Sequence, residues 1–134
     1  MKKLFSLALL AACAIANAET PRQLADSYAA EAARQAPGYR PSGQRGAEFY
    51  ARRFAISEKM PACTACHTDT PAQPGRHAVT GKDIKPLAPR IEPARFTDPA
   101  KMEKWFRRNC TEVVGRECSA AEKADFILFL TEGK

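Results

Sequence analysis

Two cysteines separated by two residues, with a histidine directly after the second, restrict this chain more than any other feature; they are Cys63, Cys66 and His67. On a helical turn this spacing places both sulfur atoms on one side, where they can form thioether bonds to the two vinyl groups of a porphyrin. The imidazole of the adjacent histidine can then bind the iron as its proximal ligand. The motif therefore predicts one covalently attached haem c.

Zinc binding and thiol redox chemistry are the alternatives for such a cysteine pair. Zinc prefers four tetrahedral ligands, and only His77 is available nearby as a fourth. A thioredoxin-like site requires a βαβ arrangement, which the helical pattern of this chain does not offer. His77 stands in a polar stretch and is interpreted as a solvated surface histidine. Covalent haem is the favoured interpretation.

The first 18 residues have the pattern of a secretory signal, with a basic start, a short apolar run and a small-x-small sequence before Glu19. This predicts removal of residues 1–18 and a mature periplasmic protein with one domain over residues 19–134. A second interpretation is a bacterial lipoprotein box that ends at Cys13, which would then carry a lipid. Membrane attachment is expected only in that case.

The five cysteines divide by position. Cys13 leaves with the leader or carries a lipid, and two others belong to the haem motif. Cys110 and Cys118 remain as a pair, which an oxidising compartment should join in a disulfide.

The formal net charge of +6 is a mild basic bias. The sequence has neither a lysine and arginine run nor the interleaved aromatic platform typical of nucleic-acid binding. We therefore expect no nucleic-acid partner. An acidic redox partner is the alternative meaning of the bias.

Capping signals and apolar spacing predict four long helices and no sheet. The predicted helical stretches are 20–34, 42–54, 97–115 and 119–133. The segment 68–98 contains five prolines, which predicts a long loop wrapped around the haem. The expected fold is all-α, with helices around one haem and an extra helix at the N-terminus.

The helix that follows the loop contains the candidates for the second iron ligand. Met102, Trp105, Phe106 and Asn109 follow i, i+3, i+4 and i+7 spacing, which predicts that they share one face. Met102 could supply a thioether ligand, although methionine more often fills the core. Asn109 could ligate weakly, or could instead bond to the carbonyls at the helix end. The residues alone leave this choice open.

Several stretches resemble one family, the SHP type of cytochrome c (sphaeroides haem protein). They are the haem motif, residues 80–89, and residues 95–110 with Trp105 and the sequence Arg-Asn-Cys at 108–110. The similarity continues through Gly115-Arg116-Glu117-Cys118 into the final helix. It covers nearly the whole mature chain and is weakest before about residue 42.

The resemblance implies a class I cytochrome c fold in which His67 and Asn109 bind the iron. It also implies that the asparagine leaves on reduction, so that O₂, NO or another small ligand can bind. A disulfide between Cys110 and Cys118 and a multihaem cytochrome c as electron donor are further implications. Trp105 is taken as a residue that contacts the haem. Thr111 departs from the family pattern, which places another amide there.

The chemistry of the asparagine agrees with this implication. A carboxamide oxygen is a hard, weak donor that suits ferric iron better than ferrous iron, so reduction should loosen it. Redox state would then control access to the iron.

Three functional classes follow from the sequence. The first is a haem protein that transfers electrons and binds gases, and it is expected not to be a dedicated enzyme, because His77 and the scattered carboxylates form no acid–base group. Reduction of O₂ or NO is left open. The second is a plain electron carrier with Met102 as sixth ligand. The third is a scaffold for a membrane complex, which would require a lipid on Cys13 or a large exposed apolar patch.

Overall fold

The computed structural model describes residues 18–133, so the predicted leader, apart from its last residue, and Cys13 lie outside the described part. The chain forms helices α1 (Pro21–Gln35), α2 (Gly43–Ala51), α3 (Thr64–His67), α4 (Pro99–Val113) and α5 (Ala120–Glu132) and strands β1 (Gly75–Arg76) and β2 (Asp83–Ile84). Within residues 18–133, no helix is long and apolar enough to span a membrane.

Capping side chains fix where the helices begin, as the sequence predicts. At the start of α1, the Thr20 hydroxyl accepts from the Gln23 N–H at 3.2 Å, and the Gln23 side chain accepts from the Thr20 N–H at 2.8 Å. Ser119 and Glu122 form the same reciprocal pair before α5, at 3.2 and 2.9 Å. Each box satisfies N–H groups that have no partner within the helix.

Helix α2 ends at Ala51 rather than at the predicted Phe54. The backbone of Arg52 is extended (ψ 134°), and the N–H of Phe54 donates to the carbonyl of Pro61 at 2.7 Å. This bond, between residues seven apart in the sequence, accompanies the turn of the chain toward the haem motif. Phe54 still packs on Phe49, with ring centroids 5.8 Å apart, so the aromatic contact survives the helix end.

The expectation of a domain without a sheet is wrong in one detail. Within the long loop, β1 and β2 pair antiparallel, with Gly75 opposite Ile84 and Arg76 opposite Asp83. The turn between them is closed by the His77 N–H, which donates to the Lys82 carbonyl at 2.8 Å. Strands of two residues are too short to produce a periodic pattern in the sequence.

Helix α5 is the central element, and α1 and α2 both pack on it. Ala124 and Ile127 are completely buried there, and Leu130 is 1% exposed. Gly46 lets α2 approach closely, because a side chain at this position would overlap the backbone carbonyl of Asp125. The buried face of α5 therefore anchors the helix that leads to the haem motif.

The buried carboxylate of Asp125 ties the start of α2 to α5. It accepts from the Tyr39 hydroxyl at 2.6 Å, from the Ser42 N–H at 2.7 Å and from the Arg45 Nε at 2.8 Å. These bonds offset the cost of burying a charge. The network thus holds α2 in place.

Helix α4 packs through one narrow stripe, formed by Met102, Phe106 and Cys110. Phe106 lies edge-on to Phe126 of α5, with ring centroids 5.8 Å apart. The four predicted residues do share one face, because they lie at i, i+3, i+4 and i+7 on this continuous helix. Within that face Met102 and Phe106 are buried in the core, whereas Trp105 and Asn109 lie at its exposed edge, Trp105 being 42% exposed.

Helix α4 stops at Val113, and Gly115 follows with a left-handed φ of +80°. In a continuous helix, residues 110 and 118 would lie about 12 Å apart, too far for a disulfide. Because the helix ends between them, the Cα atoms of Cys110 and Cys118 are 5.7 Å apart and the two residues form a disulfide. This is the pair that the cysteine count predicts.

Candidate functional site

The haem motif forms the single turn of helix α3. The N–H of His67 donates to the carbonyl of Cys63 at 3.1 Å, which brings the histidine back over the first cysteine. Cys63 and Cys66 are both partly buried, and neither is in a disulfide. Two free sulfurs and an imidazole thus lie on one short helical turn.

Burial sets the protonation of these groups. Burial is the largest cause, and together with the positive charges of Arg95 and His77 it lowers the pKa of His67 to about 4. The imidazole is therefore neutral near pH 7, the form that binds a metal. Burial also raises the pKa of the Cys63 thiol to about 11, and the charge of Cys66 acts in the same direction, so before a bond to haem forms this sulfur is a protonated thiol.

A buried tyrosine of α2 holds the end of α3. The Tyr50 hydroxyl lies 3.1 Å from the carbonyl oxygen of His67 and 2.5 Å from that of Thr68, and donates to this pair. Thr68 has an unusual left-handed φ of 63°, a conformation that persists only where surrounding contacts impose it. Tyr50 thus holds the backbone of His67 and Thr68 in place.

Replacing Tyr50 by phenylalanine is expected to lower the free energy of unfolding by about 1–3 kcal/mol, because two carbonyls that its buried hydroxyl serves lose their donor. The ring remains, so apolar packing is retained. Urea unfolding of the haem-loaded protein measures the loss. A resonance Raman shift of the iron–histidine stretch in the ferrous state would separate a positioning role from stability alone. If neither the free energy of unfolding nor the iron–histidine stretch changed, Tyr50 would not hold the backbone of His67 as described.

The β1–β2 hairpin covers the other side of α3. At Gly75 any side chain would overlap the carbonyl oxygen of Cys66, so only glycine allows this approach. The N–H of Ala78 donates to the sulfur of Cys66 at 3.2 Å. The Nδ1 of His77 accepts from the N–H groups of Val79 and Thr80, both at 3.2 Å. His77 therefore stabilises the hairpin turn.

The two candidates for the second iron ligand have different surroundings. Met102 is only 9% exposed and belongs to the hydrophobic core. Asn109 is exposed on α4, and no hydrogen bond of its side chain is found within residues 18–133. The carbonyls at the end of α4 are capped by the backbone, since the Cys110 carbonyl accepts from the N–H groups of Val114 and Gly115 at 2.7 and 3.0 Å.

The donor set fits covalent haem better than a metal ion held by the protein alone. Within residues 18–133, no group of three or more His, Cys, Asp or Glu side chains could hold a metal ion. Two free cysteines and one neutral imidazole on a single turn instead match the two thioether bonds and one axial ligand that a haem c requires. Cys63, Cys66 and His67 are therefore the residues that could hold this group.

Helices packed around a Cys-x-x-Cys-His turn define the class of c-type cytochromes. A family model described as "Domain of unknown function (DUF1924)" matches residues 37–130, and the chain belongs to that family. It is 43% identical over 129 residues to cytochrome c'' of Methylophilus methylotrophus, covering 94% of this chain and 90% of the relative. It is also 43% identical over 124 residues to the cytochrome c-type protein SHP of Cereibacter sphaeroides, covering 92% of each.

Solved structures of the same two relatives share the fold. Oxidised cytochrome c'' of Methylophilus methylotrophus has a TM-score of 0.76 at 42% identity, over 82% of this chain and 91% of its own. Oxidised SHP, described as an oxygen binding cytochrome c, has a TM-score of 0.76 at 40% identity, over 86% and 98%. The resemblance to SHP-type cytochromes and the cytochrome c-like helical fold are thereby confirmed. The chain carries a covalently bound haem c.

Two residues of the site could not be assigned roles from the sequence. Tyr50 belongs to an aromatic stripe, and nothing in that pattern indicates that its hydroxyl reaches the backbone beyond the haem motif. Arg95 stands in a loop stretch, where arginine is usually solvated, but its guanidinium donates to the carbonyl oxygens of Pro86 and Lys85 at 2.9 and 2.6 Å. A tyrosine and an arginine of this kind become visible only when the fold shows what their polar ends contact.

Proposed function

We propose that this protein is an exported, periplasmic monohaem cytochrome c that takes an electron from a multihaem cytochrome c and then binds O₂ or NO. Cys63 and Cys66 form the two thioether bonds, and His67 is the proximal ligand. Asn109 is the distal ligand of the ferric state and leaves on reduction. The haem supplies an iron that changes redox state and accepts a small ligand.

The geometry of α3 supports the assignment of His67 as the proximal ligand and of Cys63 and Cys66 as the attachment sites. The turn holds both sulfurs and the imidazole together, and Tyr50 fixes the backbone of His67 from the core side. The histidine is neutral near pH 7 because of its burial. This arrangement suits a ligand that stays in place through a redox cycle.

The assignment of the distal ligand depends on one observation above all, which is that Met102 is buried in the protein core. Its neighbours on the buried stripe of α4 are Phe106 and Cys110, so its side chain serves packing. A methionine that binds iron would have to turn its sulfur out of this core toward the haem. The plain electron carrier with Met102 as sixth ligand is therefore disfavoured.

Asn109 has the properties that a displaceable ligand requires. Its amide is exposed, and it does not take part in ending α4, because backbone N–H groups already serve that carbonyl. It follows Trp105 by four residues, so the two lie one above the other on the helix surface. An amide oxygen binds ferric iron more firmly than ferrous iron, which links its release to reduction.

The binding of gases is supported by the relatives. One of the two structures is described as that of an oxygen binding cytochrome c, and a solution structure of cytochrome c'' is described as giving insights into haem-ligand detachment. These two descriptions apply to the relatives themselves. With 43% identity over most of the chain, they favour the same use of the distal side here.

An acidic redox partner is supported by the surface of α4. Lys101 and Lys104 are exposed, and within the described residues neither has a carboxylate at salt-bridge distance. They lie on the side of the helix next to Trp105. Unpaired positive charges beside a redox centre accelerate encounter with a negatively charged donor, and salt weakens the effect.

The test of the distal assignment is the variant Asn109→Ala beside Met102→Leu, which keeps the core volume. Asn109→Ala is expected to give a five-coordinate or water-bound ferric haem, because the only amide ligand is gone. Ferrous O₂ or NO binding should persist or become faster. Met102→Leu should leave the ferric spectrum unchanged. Absorption spectra and stopped-flow ligand binding measure both properties.

The opposite pattern of results would assign the sixth ligand to Met102 rather than to Asn109. Unchanged ferric spectra and ligand rates in Asn109→Ala, together with changes of both in Met102→Leu, would establish the electron carrier instead.

A further inference from the structure

Lys123 is a lysine of α5 that lies in the protein core, with 9% of its surface exposed. Its Nζ donates to both carboxylate oxygens of Glu103 in α4, at 2.7 and 2.9 Å. The Tyr28 hydroxyl of α1 donates to the same carboxylate at 2.8 Å. One partly exposed carboxylate therefore joins α1, α4 and α5.

The charges of Lys123 and Glu103 depend on each other. A lysine is rarely buried without a partner, and the Nζ of Lys123 also lies over the rings of Tyr28 and Phe106, 5.2 and 5.8 Å from their centroids. Burial acts to raise the pKa of Glu103, but the hydrogen bonds and positive charge of its partners keep it below its usual range. The carboxylate is thus ionised near pH 7, and without its charge Lys123 would be a buried cation that lacks an anion.

These contacts matter most for α4. The backbones of α1 and α2 are in close contact with that of α5, whereas within residues 18–133 α4 makes far fewer close backbone approaches to any of the three. The apolar stripe of α4 attracts it to the core without fixing its direction, because burial of apolar surface is non-directional. Hydrogen bonds to a charged group are directional and strong. The Glu103 contacts near the start of α4 and the disulfide of Cys110 near its end therefore determine where the helix lies.

Asn109 follows Glu103 by six residues on the same helix, about 9 Å further along the axis. A continuous helix transmits a displacement of one part to the rest. We propose that Glu103 is a positioning residue for the distal ligand, and that its contacts with Lys123 and Tyr28 hold α4 where the Asn109 amide reaches ferric iron. When these contacts are lost, the helix shifts more easily and Asn109 leaves the iron more often. The proposal rests on the proposed function, in which Asn109 is the distal ligand of the ferric state.

The experiment measures how often Asn109 leaves the iron in the haem-loaded ferric protein, with cyanide as the probe. Cyanide binds only while the sixth position is free, so at high cyanide concentration its rate of binding is limited by the departure of Asn109. Glu103→Gln keeps the shape of the side chain and removes its charge, and we expect it to raise this limiting rate about 2–30-fold. Tyr28→Phe removes one hydrogen bond and keeps the ring, so it should raise the rate less.

Glu112→Gln is the matched control. Glu112 is a carboxylate of the same helix, but its partner at 3.1 Å is Arg108, which also belongs to α4, so this pair does not join α4 to another helix. The limiting rate should be unchanged in this variant. A second control repeats Glu103→Gln in the Asn109→Ala background. Cyanide meets no amide ligand there, so the added substitution should not change its rate of binding.

An unchanged limiting rate in Glu103→Gln, even with lower stability, would overturn the proposal and leave Glu103 as a structural contact. An equal acceleration in the Asn109→Ala background would also overturn it, because the effect would then not act through the distal ligand. The same holds for an equal acceleration in Glu112→Gln, since any lost charge on α4 would then suffice.

If Glu103→Gln does not fold, Tyr28→Phe decides in the same assay, and an unchanged rate there counts against the proposal. Failure of the proposed function gives a different result, because Asn109→Ala alone would then leave the ferric spectrum unchanged.

Discussion

Replacing both Cys63 and Cys66 by alanine is expected to abolish covalent haem attachment, so that acid–acetone extracts all haem from the variant while the wild type stays red. Each thioether bond requires its own sulfur, and the described residues offer no other free cysteine. The single variants should each keep one bond and show reduced haem retention. His67→Ala should keep the attached haem but lose the proximal ligand, with a changed Soret spectrum.

The matched control is the variant Cys110→Ala, Cys118→Ala, which removes two cysteines outside the haem motif. It should retain its haem under the same extraction. Free extraction of haem from the wild type would contradict covalent attachment. Full retention in the double variant at residues 63 and 66 would place the attachment elsewhere.

The same Cys110→Ala, Cys118→Ala variant is expected to lose about 2–3 kcal/mol of stability, since the bond closes a short loop and restricts the unfolded chain. Both residues are 6% exposed, so alanine is preferable to serine, which would bury a hydroxyl group. The haem-loaded variant should unfold at lower urea concentration or lower temperature than the wild type.

An altered rate of ferrous O₂ or NO binding is the second expected effect. Cys110 directly follows Asn109, and the disulfide holds the last turn of α4 against the segment before α5. Without it the backbone that positions the ligand loosens. Lower stability with identical ligand rates would reduce the bond to a structural staple. If thiol titration found Cys110 and Cys118 as two free thiols in the native protein, the disulfide on which this prediction rests would not exist.

The helix starts and the end of α4 were predictable because local chemistry determines them. Thr20 with Gln23, and Ser119 with Glu122, satisfy N–H groups within one turn. Gly115 adopts a left-handed conformation that most residues avoid. Both signals lie within a few residues of the structure they set, so a single sequence suffices to find them.

The sequence predictions that failed have a common cause, because they depend on contacts between residues too far apart in the chain to belong to one helical turn. The end of α2 depends on the bond from Phe54 to Pro61, and the β1–β2 hairpin depends on its packing against Cys66. Helical spacing correctly groups Trp105 and Asn109 with Met102 on one face, but it does not show that the core accepts only part of that face. Periodicity predicts which residues are neighbours on a helix, and tertiary packing decides which of them become buried.

The ferric absorption spectrum of the wild-type protein at its red edge tests the central claim most directly. A haem ligated by His67 and a weakly bound Asn109 should show no methionine charge-transfer band, and any high-spin band there should mark a weak or displaced ligand. A clear methionine charge-transfer band would contradict the account, because it would make Met102 the sixth ligand and the protein a plain electron carrier.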